Sequence, residues 1–162
     1  MRALRIAACI VLTATAAFAQ SGAQRSFDQL KSLAGSWEGK NSMGQPVQVS
    51  YRMTAGGSAL MSEIVGRGET MISMINFDGP NRLLLTHYCA VGNQPRMQAS
   101  ASPDGKTITF NFLDATNLDS PQSGHMDQVV IAMLGPDHHT EEWNFIDHGK
   151  EIKEFFDLTR KN

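Results

Sequence analysis

The sequence predicts an all-β fold, an up-and-down antiparallel barrel of about ten strands with a short N-terminal helix closing one end. Three observations predict it. From Gly35 onward, β-rich segments alternate with turn residues at roughly 10–12-residue spacing, and no helical period interrupts them. Within the segments, apolar residues fall at every second position: Val47, Val49, Tyr51 and Met53 share one face, as do Ile108, Phe110 and Phe112. A meander of so many half-buried strands must hide its two edges, and closing into a barrel hides both.

The chain begins with an export pattern. Met1–Arg5 carries two arginines and no acid, Ile6–Ala17 is almost unbroken apolar sequence, and Ala17-Phe18-Ala19 sets small residues where a signal peptidase reads. Residues 1–19 are therefore expected to be a cleaved signal peptide, with Gln20 first in the mature chain. The apolar run is about a dozen residues, short of the ~20 that a spanning helix needs. Ile6-Ala7-Ala8-Cys9 mimics a lipoprotein box, but too little apolar sequence precedes Cys9 for a lipid anchor to be expected. The expected location is periplasmic or secreted, with no membrane anchor after cleavage.

Residues 20–25 read as a disordered mature N-terminus, and 26–162 as a single domain of ordinary one-core size. Ser26–Gly35 reads as the helix: Ser26 caps it with Gln29 three residues on, Phe27, Leu30 and Leu33 form its apolar stripe, and Gly35 stops it. Strands are expected over 36–42, 46–54, 58–65, 69–77, 82–90, 95–102, 106–113, 124–134, 138–146 and 150–159. Turn chemistry separates them, as in Ala55-Gly56-Gly57, Gly66-Arg67-Gly68, Asp104-Gly105 and His148-Gly149. Asp114–Ser123 is the one segment long enough to be a true loop.

Charge and cysteine usage exclude several functions. Fourteen basic residues stand against sixteen acids, a net charge of −2, and cleavage removes Arg2 and Arg5. With no Lys/Arg run, the chain offers no surface to nucleic acid or anionic lipid. Cys9 leaves with the signal, so Cys89 is alone and no internal disulfide can form. The nucleophile elbow Gly-x-Ser-x-Gly, the P-loop, His-Glu-x-x-His and the dinucleotide fingerprint are all absent.

Leu33-Ala34-Gly35-Ser36-Trp37-Glu38-Gly39, a short helix running into Gly-x-Trp on the first strand, resembles the opening of lipocalin-like (calycin) barrels. Ten strands rather than eight are more similar to the nitrobindin-type haem-binding barrels and their uncharacterised bacterial relatives. The resemblance implies an internal cavity closed at one end by the helix. Nitrobindin-type haem proteins extend the motif with a further glycine and an aromatic-proline pair. This chain instead has Lys40-Asn41-Ser42-Met43-Gly44-Gln45-Pro46, so no cofactor is expected, and haem is carried as an alternative.

Up-and-down topology sorts the turns by end. Those after the odd-numbered strands lie at the rim away from the helix, where the densest cluster of specialised side chains gathers: Thr86-His87-Tyr88-Cys89, Gln94-Pro95-Arg96-Met97, His125 and His148. His87 and Cys89 share a face because strand side chains repeat every second residue. His138 falls at the opposite end. Each candidate has two readings. His87 and Cys89 supply two possible metal ligands where a structural site wants four, or they simply pack in the core. Arg96 grips a ligand's oxyanion, or caps its hairpin through the carbonyls of Gly92 or Asn93. Of the adjacent histidines, only His139 with Glu141, or His138 with Glu142, can cooperate. Trp143 and Phe145 share a face with Glu141; that face is internal and makes a functional acid, or it is a solvated rim. Nine methionines, many on strands, suit an adaptable cavity or an ordinary core.

The expected function is a barrel that binds a small, largely apolar ligand with a polar or anionic group at the mouth. The candidate ligand-binding residues are His87, Cys89, Arg96, Met97, His125, Glu141 and Trp143. The alternatives are a haem or metal protein using His87, His125 or His148, a small enzyme on the same mouth, and a filled barrel acting through its surface.

Overall fold

The computed structural model describes residues 20–66 and 68–161. The expected signal peptide, Cys9 and Arg67 lie outside the described residues. Helix α1 spans Gly22–Lys31, and Ser21 caps it by accepting the Gln24 N–H at 3.1 Å. The helix thus starts before the expected Ser26, and residues 22–25, expected to be disordered, form its first turn. Ser26 is buried in the helix rather than capping it. The stripe of Phe27, Leu30 and Leu33 is buried as its spacing requires. Phe27 meets Phe77 edge-on at 4.8 Å, and Ser21 Oγ donates to Pro80 O, so the helix lies over one end of the barrel.

Ten strands follow: β1 Gly35–Asn41, β2 Pro46–Thr54, β3 Ala59–Gly66, β4 Glu69–Phe77, β5 Leu83–Tyr88, β6 Gln94–Ala101, β7 Thr107–Thr116, β8 His125–Gly135, β9 His138–Asp147 and β10 Lys150–Arg160. Each pairs antiparallel with its neighbour in sequence, and β1 pairs with β10, so the sheet closes. The expected fold class is the observed one. β7 runs to Thr116, into the segment expected to be loop. The register shifts between Arg96 and Met97, and Leu113 is the extra residue on β7.

The seam between β1 and β10 is tight. A Cβ on Gly39 would stand 1.8 Å from the Asp157 carbonyl oxygen, so only glycine fits there. At the helix end of this seam Trp37 is buried, and its Nε1 donates to Leu33 O at 2.7 Å. The Arg160 guanidinium lies 4.2 Å from the centre of the Trp37 ring. It also donates to Ala34 O at 2.9 Å and Ser32 O at 3.0 Å, satisfying carbonyls that the helix end leaves open. Among the described residues no helix is long and apolar enough to cross a membrane.

Candidate functional site

The rim opposite the helix opens into a cavity of about 410 Å³. The β1–β2 and β3–β4 turns and the residues following β5 frame it, as the sorting of turns by end requires. Val47, Ile64, Met71, Val91, Phe156 and the indole of Trp143 make its apolar wall. Asn41, Glu69, Cys89 and Glu154 supply its polar atoms. Asn41 holds the β1–β2 turn in place, its Oδ1 accepting from Met43 N at 3.0 Å and Gln45 N at 2.9 Å. Burial pushes the Cys89 thiol above its usual range, which leaves it a poor nucleophile. A wider groove of about 960 Å³ runs along the outer flank of α1. Its walls include Gln20, Arg25, Asp28, Ser102, Asp104 and Lys106, and these polar side chains are largely bonded to one another or to nearby backbone. The mouth cavity is the better ligand site, because apolar walls with a few placed polar groups are what small-molecule pockets share.

Beneath the cavity the barrel interior carries an unusual polar cluster. Alternation turns Tyr51, Ser62, Ser73, His87, His139, Glu141 and Trp143 inward, and all are buried. Tyr51 reaches across the barrel and donates its hydroxyl to Glu141 Oε1 at 2.6 Å. Trp143 Nε1 donates to Glu141 Oε2 at 2.9 Å, and His139 Nε2 lies 3.2 Å from Oε1. A carboxyl group that would be costly to bury bare is therefore hydrogen-bonded on both oxygens. Burial, reinforced by the Glu141 carboxylate, pushes the Tyr51 phenol well above its usual range, so it stays a donor. His139 is sandwiched between rings, its centroid 4.2 Å from Trp37 and 5.9 Å from Tyr51.

His87 stands apart from this set. Its ring lies 4.9 Å from that of Trp143, and Ser73 Oγ is 3.0 Å from its Nδ1. Its Nε2 has no hydrogen-bond partner. Burial pushes its pKa down to about 4, so the imidazole is neutral at physiological pH.

The expected mouth cluster comes together only in part. Cys89 and Trp143 line the cavity, while His87 and Glu141 lie directly below it. Arg96 is on the outer face, where it grips Asp114 with both arms of its guanidinium, Nε to Oδ1 at 2.6 Å. It neither enters the mouth nor caps its hairpin. The physical reason is alternation: Met97 is inward and fully buried in the core, so its neighbour must point out. The bulge at Leu113 then swings Asp114 to the same outer face. Met97 packs as core and does not line the cavity. His125 is buried against Phe112 at 4.6 Å, with Nδ1 2.7 Å from Ser123 O. His148 is exposed in the β9–β10 turn beside Asp147, and His138 pairs with Asp157 on the outer face at 2.7 Å. Among the described residues no three His, Cys, Asp or Glu side chains gather as a metal-ligand set. Tyr51 went unsingled because its hydroxyl hides in an apolar alternation. Ser62 and Ser73 carry no sequence signal at all.

No family model matches the chain, and no curated protein matches it. Among solved structures it is similar to Rv2717c from M. tuberculosis, with a TM-score of 0.59 at 14% identity, over 85% of this chain and 98% of that one. At that identity the likeness shows a shared barrel fold.

Proposed function

We propose that this protein is exported, loses Met1–Ala19, and acts as a lipocalin-like barrel that takes up a small, largely apolar ligand through the rim opposite its helix. One observation carries the reading: a cavity of about 410 Å³ with apolar walls opens at that rim and rests on a polar floor. The lipocalin-like resemblance gains support from Trp37, which links the helix end to the last strand through Leu33 and Arg160. With Arg96 facing outward, the ligand's polar group meets the mouth without that guanidinium.

Haem is the group that the nitrobindin-type resemblance implies, and these residues do not fit it. His125 is bonded to the backbone, His148 projects from the outside of a turn, and Trp143 lies against His87. No described histidine lines the cavity.

Native mass spectrometry of the protein extracted from its own host tests both halves of the proposal. The expected result is a polypeptide beginning at Gln20 with a retained small molecule that Ile64→Trp, placed to fill the mouth, drives out. A mass bearing diacylglycerol on Cys9 overturns the export half. A ligand retained equally by Ile64→Trp overturns the cavity half. Colourless protein free of iron would agree with the poor fit to haem.

A further inference from the structure

The mouth cavity has a second tier beneath it. Its wall includes Ile64, Met71, Cys89 and Trp143. Two residues deeper on the same segments, and therefore on the same inward face, stand Ser62, Ser73, His87 and Glu141. Of these, the upper four are apolar apart from a thiol, while Asn41, Glu69 and Glu154 lie elsewhere on the cavity wall; the lower four are polar and buried throughout. Glu141 and Ser73 have partners there, as described. His87 Nε2 has none, and Ser62 Oγ sits opposite Tyr51 without a hydrogen bond of standard geometry. A buried polar atom left unpaired carries its full desolvation cost, so native interiors hold few of them. Here His87 Nε2 and Ser62 Oγ lie under a ligand-sized cavity, and His139 Nδ1, two residues beyond Glu141, is unpaired as well.

We infer that the ligand enters head first: a neutral hydroxyl, phenol or amide head hydrogen-bonds to His87 Nε2, and an apolar tail fills the cavity above. This deepens the cavity-binding reading and rests on it. Ser73 holds the imidazole by its other nitrogen, which fixes the ring and leaves Nε2 open to a ligand. Trp143 belongs to both tiers, since it lines the cavity and touches His87. Val91 lines the cavity while 58% exposed, which suits a tail that reaches the rim. A charged carboxylate head is disfavoured on two counts. Burial keeps His87 neutral, and Glu141 already places a carboxyl group in the same tier. The order is the reverse of a simple greasy pocket, where the tail goes deepest.

Matched probes test this on the purified protein by calorimetry: p-cresol, toluene and p-toluate, which share a ring and differ in one group. The expected result is that p-cresol binds roughly fivefold more tightly than toluene, the worth of one net hydrogen bond, with p-toluate the weakest. His87→Phe should erase the p-cresol advantage while toluene still binds, and Arg96→Ala should leave the ranking unchanged. Should His87→Phe fail to fold, the wild-type protein still decides, because p-cresol and not toluene should move the ring ¹⁵N resonance of His87 Nε2. Toluene and p-cresol binding equally, with that resonance still, would overturn the head-first inference and leave the cavity reading standing. No binding by any of the three would overturn both.

Discussion

At His87 the barrel holds an ionisable ring where water cannot reach it, and burial lowers its pKa from 6.5 to about 4. The sign of the consequence follows from proton counting. Between those two values the unfolded chain binds a proton that the folded chain refuses, so stability rises with pH across the window. It should be fully present above about pH 6.5 and fall by on the order of 3 kcal/mol as pH drops to 4. Urea unfolding at pH 7.5 and 4.5 would show the difference, and His87→Phe should remove most of it. An equal loss in that variant would assign the acid sensitivity to other groups. At this scale the sequence was half legible. Side-chain alternation places His87 beside Cys89 on one face, and His139, Glu141 and Trp143 on another. It cannot show that Tyr51 reaches Glu141, because the two are ninety residues apart and meet only when the barrel closes. It does turn Arg96 outward as soon as its neighbour Met97 takes a core position, so those two cannot share one mouth.

Secondary structure was the more legible level, for reasons that differ from strand to strand. β2 and β4 occupy their expected spans because Pro46 starts one and glycine turns delimit the other. β7 overruns because a bulge carries pairing past Phe112, and bulges leave no mark in a hydrophobic pattern. The helix begins early because Ser21 accepts the Gln24 N–H while its hydroxyl bonds to Pro80 O in the β4–β5 turn, which adds a turn ahead of Ser26. The junction of α1 with β1 depends on Trp37, which is buried between the helix end and Arg160. Trp37→Ala should therefore cost about 3–5 kcal/mol, the usual penalty for truncating a packed aromatic. Chemical denaturation would measure it, and a loss below about 1 kcal/mol would mean that the helix closes the barrel without this anchor.

Across the whole molecule, one interior connects the helix-covered end to the mouth. Core residues from Leu30 and Trp37 through Phe110 to Phe156 and Trp143 form a single cluster. Such a barrel should unfold in one step. The two tryptophans sit at opposite ends, so they can report on this separately. In Trp37→Phe, where Trp143 alone fluoresces, and in Trp143→Phe, where Trp37 does, the fluorescence midpoint in urea should coincide with that of circular dichroism. An earlier transition at Trp143 would reveal a mouth that melts on its own.

The seam between β1 and β10 has a consequence in time as well as in space. The first strand to leave the ribosome finds its second neighbour in the last, so the ring cannot shut while any of β10 is still unmade. Until then β1 keeps a bare edge, and the helix end lacks the arginine that binds its carbonyls. Closure therefore waits on β10, and only a chain made through that strand can reach it. Under the export proposed above, that delay would keep the chain open while it is being made.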